Sequence, residues 1–334
     1  MQAESPAARM LRYPETFKAP QSFTASAAGG GSTKGREKDV AAATQLNMAE
    51  QKVAQAIENL TQLDSVIDPL KQPLEQFLSQ QPTLRSVLNG TWIGHAVHPI
   101  LTDIPIGAWT ASCVLDLLDA FGVNRNLREA SDTITGVGLI GALGAAIFGI
   151  ADWSYTMDKP KRVGFVHGTA NVVATSLYAG SLVARSKGNR SAGVALSALG
   201  YNVLLFSGWL GGELAYRFGL GVDHTAFQEG PTEWVAVAGS PDVKEGQLLR
   251  VEANGVPVLL LRSHGQVYAI SDTCTHLGCS LAEGELQQDM VVCPCHGSGF
   301  RVQDGQVLQG PATVRQPRFE VRMQGDQIAV RRAG

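Results

Sequence analysis

Cys274-Thr275-His276-Leu277-Gly278-Cys279 and Cys293-Pro294-Cys295-His296-Gly297-Ser298 decide how the C-terminal third of the chain is read. Sixteen residues separate His276 from Cys293. Each stretch offers one thiol and one imidazole in a short turn, as Cys-x-His in the first and Cys-x-x-His in the second. Four of the five cysteines fall in this window, and five in 334 residues do not make a disulfide-stapled secreted scaffold. The concentration of ligands points to metal. Thiolates and imidazoles serve iron–sulfur clusters, and they also serve zinc, which takes four such ligands in a tetrahedron.

Around this pair the apolar residues repeat with a period of two. Val235 and Val237, Leu248 and Val251, Val256, Val258 and Leu260, Val267 and Ala269, and Val291 and Val292 read as strands separated by Gly-containing turns. Residues 314–323 and 327–331 complete the set, and Pro257 marks an edge or a strand start. Residues 233–334 are therefore expected to form an all-β domain.

On the two Cys/His stretches this segment resembles the Rieske family. The resemblance implies a 2Fe–2S cluster with Cys274 and Cys293 on one iron and His276 and His296 on the other. Neutral imidazoles in place of thiolates remove negative charge and raise the potential. Cys279 and Cys295 match the pair that forms a disulfide between the cluster loops in the high-potential branch, found in cytochrome bc-type complexes. Ser298 matches a serine whose hydroxyl bonds an inorganic sulfide, and Gly310-Pro311-Ala312 resembles the proline loop that covers the cluster. Phe300 departs from that branch, which has a tyrosine there. Phenylalanine cannot donate to a cysteine sulfur, so the resemblance implies a potential below that of the tyrosine-bearing quinol oxidisers.

Upstream the chain changes character. Residues 1–46 are polar, contain the run Gly29-Gly30-Gly31-Ser32, and have no apolar core of signal-peptide length, so a disordered tail is expected. Residues 47–89 show helical spacing in Val53, Ile57, Leu60 and Leu63, interrupted by Pro69 and Pro73 and resumed by Leu74, Phe77 and Leu78. Four apolar segments follow at 99–123, 133–151, 163–183 and 192–212, each near the ~20 residues that span a bilayer. The connections are short, so the helices should run up and down. The expected architecture is a membrane all-α four-helix bundle over 90–225, a linker over 226–232, and the C-terminal all-β Rieske domain. On Gly94-His95-Ala-Val-His98-Pro99, Asp103-Ile-Pro105-Ile-Gly107 and Gly208-Trp-Leu-Gly211-Gly212 the helical region is similar to the membrane family called domain of unknown function 2231, which implies four spans and no particular activity.

An up-and-down bundle brings His95, His98, His167 and His224 to one membrane face, with Asp103, Asp152 and Glu213, where the β-domain begins. Ionisable groups in such places are costly and often functional. His98 and His167 are candidates for a b-type haem or a quinone site; with Asp103 or Glu213 they are candidates for a non-haem metal; as interfacial side chains they would do neither. Net charge is −3 with no basic stripe, which argues against nucleic acid.

The expected function is membrane-bound one-electron transfer. The expected partners are a donor or acceptor protein or a quinone, together with membrane lipid. A quinol-oxidising subunit of a respiratory complex and a redox sensor are the alternatives. The soluble part has no room for a separate mononuclear-iron domain, which disfavours a terminal oxygenase. A multi-pass protein of the cell inner membrane is expected. Lys and Arg are balanced across the two faces, while the missing signal peptide and an even number of spans place the β-domain in the cytoplasm.

Overall fold

The computed structural model describes residues 45, 48, 50–123 and 126–333, so the tail expected over 1–46 lies, residue 45 apart, outside the described residues. The chain divides into two units, 1–57 and 58–334. In the first, residues 50–57 are helical. The second holds the rest of the helices and the β-domain.

Helix α1 (Asp64–Ser79) runs through both Pro69 and Pro73 instead of breaking at them. Each proline removes one backbone donor from the helix. Tertiary ion pairs hold it in place: Lys161 Nζ lies 2.6 Å from Asp68, and Arg162 reaches Asp64 through Nε at 2.9 Å and Nη2 at 2.6 Å. Helix α2 (Pro82–Asn89) starts on its proline and ends on Gly90 at φ +80°. Both devices suit helix ends, since the proline N–H would be unpaired there and glycine enters the left-handed region without strain.

Helices α3 (Val97–Ala120), α4 (Leu127–Trp153), α5 (Asp158–Ser186) and α6 (Arg190–Gly212) form the bundle. Three of the four are long and apolar enough to cross a membrane: α3, α4, and α6 with its π-helical extension to Arg217. Helix α5 is 29 residues long and contains the expected third span, 163–183, which carries no Asp, Glu, Lys or Arg but is made less apolar than the others by His167, Asn171 and its Ser and Thr residues.

Helix α3 packs along α4, and α5 along α6, as two hairpins. These hairpins repeat one another. His98, Trp109, Ser112 and Asp116 of α3 correspond to His167, Tyr178, Ser181 and Arg185 of α5, each pair 69 residues apart. Thr135, Gly138, Ala145 and Gly149 of α4 correspond to Ser197, Gly200, Ser207 and Gly211 of α6, each pair 62 residues apart. The contacts repeat as well. Ser112 Oγ lies 2.7 Å from Thr135 Oγ1, and Ser181 Oγ lies 2.8 Å from Ser197 Oγ. Gly138 leaves room for the Trp109 indole and Gly200 for the Tyr178 ring. The corresponding side chains of α3 and α5 meet across the middle of the bundle. Trp109 stacks on Tyr178 at 4.0 Å between ring centres, and Asp116 is ion-paired with Arg185.

The β-domain has a six-stranded antiparallel sheet in the order β1 (Val235–Gly239), β10 (Gln327–Arg332), β9 (Arg318–Gln324), β4 (Gln266–Ser271), β3 (Val256–Ser263), β2 (Leu248–Ala253). Pro257 lies near the start of β3, an interior strand. Between β4 and β9 a four-stranded sheet is inserted: β5 (Glu285–Gln287), β6 (Met290–Val292), β7 (Gly299–Arg301) and β8 (Val307–Gln309). Leu259, Leu261, Ile270, Leu281, Val291 and Phe300 form its core, and Cys274 and Cys293 belong to the same cluster. Both Cys/His stretches thus lie on loops that leave well-packed strands. The expected linker is fastened to the domain: Gln228 Nε2 donates to Thr273 Oγ1 at 2.8 Å, and Arg332 N donates to Pro231 O at 2.7 Å.

Candidate functional site

The two loops are built alike. Cys274 N donates to Cys279 O and Gly278 N to Cys274 O, both at 2.8 Å; Cys293 N donates to Ser298 O at 2.8 Å and Gly297 N to Cys293 O at 2.9 Å. Gly278 (φ +80°) and Gly297 (φ +69°) make the return in a region that a side chain would strain. The turns aim backbone N–H groups at sulfur. His276 and Leu277 donate to Cys274, and Cys295 and His296 donate to Cys293. Such donors favour thiolates.

The two thiols face each other closely enough to hydrogen-bond, which brings Cys293 down to about 7 and raises Cys274. The His276 and His296 imidazoles lie 5.1 Å apart, centre to centre. Burial pushes His296 down to about 4 and His276 well below the ordinary histidine value, so both rings are neutral near pH 7, as metal ligation requires. His276 Nδ1 and His296 Nε2 are buried without a partner. Two sulfurs together, two imidazoles together and orphaned ring nitrogens fit a Rieske cluster. The sulfurs that gather within 4.8 Å are those of Cys279, Cys293 and Cys295 rather than the four ligating atoms, which argues against a single tetrahedral zinc. Cys279 and Cys295 form the disulfide that joins the loops. Ser298 is fully buried, and its Oγ accepts from Ala312 N at 3.0 Å, which keeps its own proton for donation. Phe300 is fully buried in β7.

The loops do not end in open solvent. The phenol ring of Tyr155, in the α4–α5 connection, stands edge-on to both imidazoles, at 6.0 Å from His276 and 6.2 Å from His296. Only 4 % of Tyr155 is exposed. Burial raises its phenol pKa. Arg85 of α2 lies 5.1 Å from the Tyr155 ring centre and donates through Nη2 to His296 O. Gly297 gives the guanidinium room, for a Cβ there would come 3.2 Å from Arg85 Nη1. Thr91 Oγ1 donates to Ala312 O, and Gly310 N donates to Ser86 Oγ, both at 3.1 Å. A Cβ on Gly310 would come 2.7 Å from Thr91 Oγ1, so glycine permits this contact. His224 N donates to Thr275 O at 3.1 Å.

Of the four gathered histidines, His98 and His167 come together, with ring centres 6.3 Å apart; His224 turns to the first cluster loop, and His95 is exposed. Arg85, Tyr155, Ser86 and Thr91 escaped the sequence reading. Nothing local distinguishes them, because their partners in the cluster loops lie more than 100 residues away.

Residues 233–320 match the Rieske [2Fe-2S] domain family, and residues 94–224 match a family described as predicted membrane protein (DUF2231). The chain is 38% identical over 98 residues to Ferredoxin CarAc of Metapseudomonas resinovorans, covering 29% of this chain and 92% of that protein. It is 35% identical to the ferredoxin component of biphenyl 2,3-dioxygenase of Rhodococcus jostii, covering 28% of this chain and 88% of that one. With the cytochrome b6-f complex iron-sulfur subunit of Chlorobaculum tepidum it shares 33% identity over 29% of this chain and 52% of the subunit. The protein belongs to the Rieske [2Fe-2S] family, and joins that domain to a membrane domain.

Proposed function

We propose that this protein is a multi-pass inner-membrane electron carrier that exchanges single electrons between its Rieske centre and a redox site in its own bundle, a haem b or a quinone at the His98/His167 face. When bound, the cluster supplies a one-electron couple whose potential is set by charge, hydrogen bonds to sulfur and solvent exposure. Cys274, His276, Cys293 and His296 hold it. The Cys279–Cys295 bond braces the two loops, and Ser298 is placed to donate to a sulfide. Phe300 withholds the hydrogen bond that would raise the potential further.

The observation that carries the proposal is the closure of the histidine edge by Tyr155 and Arg85. Tyr155 stands over both rings and leaves the two histidines only partly exposed; Arg85, Thr91 and Ser86 fasten the loops. A carrier serving a soluble oxygenase, as the names of the ferredoxin relatives indicate for those proteins, would need that edge open. Ile140, Leu143, Val172 and Leu205, each more than half exposed, are suited to lipid. With four spans and a cytoplasmic N-terminus, this reading has the β-domain on the cytoplasmic side.

Rapid mixing of vesicle-embedded protein with either a membrane quinol or a soluble ferredoxin reductase tests this. The wild type should be reduced faster from the membrane, and Arg85→Glu should accelerate reduction by the soluble reductase. Equal rates for wild type and variant with the soluble reductase would refute the closure.

A further inference from the structure

We propose that His98 and His167 are the two axial ligands of one b-type haem held between the helical hairpins. This deepens the reading of a redox site in the bundle and rests on it for the electron's destination, not for the site itself.

The pair sits on the repeat of the two hairpins, where corresponding side chains of α3 and α5 meet. The ring centres are 6.3 Å apart. With metal–imidazole bonds of ~2.0–2.1 Å and a ring centre ~1.1 Å beyond each nitrogen, two imidazoles on opposite sides of one metal have centres ~6.2–6.4 Å apart. Each ring is held the same way from behind. His98 Nδ1 lies 2.8 Å from Ala145 O, and His167 Nδ1 lies 2.8 Å from Ser207 O. Carbonyls only accept, so each Nδ1 carries the proton and each Nε2 presents its lone pair, the arrangement that orients a ligating histidine.

One turn beyond each carbonyl stands a glycine against the ring. A Cβ on Gly149 would come 2.7 Å from the His98 ring, and one on Gly211 would come 3.4 Å from His167 Cε1. The buried positions between this pair and the Trp109–Tyr178 stack include Pro105, Ala108, Gly141, Ala174 and Leu204, of which Leu204 alone is large, and Ile104 packs on Gly141. In the structure the Asn171 amide, one turn from His167, lies 3.1 Å from His167 Nε2; iron at that lone pair takes its place.

The number of ligands separates haem from a bare metal ion. Among the described residues, the group of three or more His, Cys, Asp or Glu ligand atoms brought together is at the Cys279–Cys295 bond, not at His98 and His167. A non-haem ion asks three or four ligands of the protein. Haem iron brings four nitrogens of its own and asks for two.

The place suits the partner centre. Gly149 packs on His98, and Tyr155, six residues further on, touches both cluster imidazoles. Helix α4 continues for four residues past Gly149, a rise of ~6 Å, and Tyr155 follows in the turn after its end. About one turn of helix, a short turn and one aromatic ring therefore separate the two sites along the chain.

The test is the reduced-minus-oxidised spectrum, a pyridine haemochrome assay and the EPR spectrum of the full chain purified in detergent from haem-supplied cells. The site predicts one b-type haem per chain. With imidazole planes at 90°, it also predicts a strongly anisotropic low-spin ferric EPR signal. His98→Ala and His167→Ala should each abolish the haem bands and keep the cluster signal, which also reports that the protein has folded. His95→Ala should keep both. His98→Met should replace the bands by those of a His/Met haem at higher potential. A cluster-only spectrum from haem-supplied cells, or haem retained in both alanine variants, overturns the site. Loss of haem with quinol-driven cluster reduction intact sinks this inference alone. Haem present with no reduction of the cluster from the membrane sinks the wider reading and leaves the site.

Discussion

At each end of the four-helix bundle the hairpin repeat brings corresponding residues of α3 and α5 together, yet the two ends are finished differently. At the end away from the β-domain, Asp116 binds both Arg185 and Arg190, the latter at 2.8 Å, and Asp132 binds Arg185 at 2.7 Å. Asp116 and Arg185 have less than a tenth of their surface exposed, so charge is satisfied inside a closed knot. At the end facing the β-domain, two imidazoles stand on backbone carbonyls, with lone pairs turned away from them and no ion pair between them. The middle is filled by Trp109 stacked on Tyr178. The same repeat therefore closes one end for stability and leaves the other to ligand chemistry. The β-domain sits on that second end, with its own two histidines under Tyr155.

The largest effect should come from the charged end. Asp116→Ala removes the buried carboxylate shared by Arg185 and Arg190, leaves them the more exposed Asp132, and should cost up to about 3–5 kcal/mol, the penalty of breaking a buried pair. Thermal unfolding in detergent measures it. His95→Ala, at the other end, removes an exposed ring and should change stability by less than about 0.5 kcal/mol; equal losses at the two ends would erase the contrast. Next is the contact between domains. Arg85→Ala removes a charged hydrogen bond worth ~1.5–3 kcal/mol and should loosen the cluster loops from the bundle, read as faster proteolysis between the domains, with the cluster spectrum retained.

A smaller effect concerns potential. Phe300→Tyr places a phenol where the high-potential branch has one, and should raise the midpoint of the cluster by on the order of tens of millivolts. No change in an EPR redox titration would mean that the added hydroxyl does not reach a cysteine sulfur. The smallest effect is at α1. The Arg162 hydrogen bond, joined by Lys161, holds the Asp64 carboxyl down to about 2. Its contribution is complete above the ordinary value near 3.8 and is lost as pH falls through about 2. Melting temperatures of wild type and Asp64→Asn should therefore differ at neutral pH and converge toward pH 2.

What was legible in the sequence follows the same division. The proposed cluster ligands lie in two short stretches, so spacing pointed to metal there and the family resemblance to a 2Fe–2S cluster. The alternation around them gave the strands, and Cys279 and Cys295 are joined as the resemblance implied. The helices were readable from apolarity, although the segment 163–183 of α5 is more polar than the other three through His167, Asn171 and its hydroxyl residues, and α1 does not break at its prolines because ion pairs from α5 hold it. The hairpin repeat is written in the sequence, as His-x10-Trp-x2-Ser-x3-Asp and His-x10-Tyr-x2-Ser-x3-Arg, but a change of charge sign and of aromatic type disguises it. The docking of Arg85 on His296 joins residues 211 apart and leaves no local pattern.

The closure of the cluster's histidine edge by the membrane domain is tested most directly by carbethoxylation of the cluster-loaded protein in membranes, followed by mass spectrometry. His264, whose side chain is 86% exposed, serves as the internal standard. His276 and His296 should remain unmodified in the wild type while His264 reacts, and both should become reactive in Arg85→Glu. Modification of His276 and His296 in the wild type at the rate of His264 would show an open edge and contradict the account.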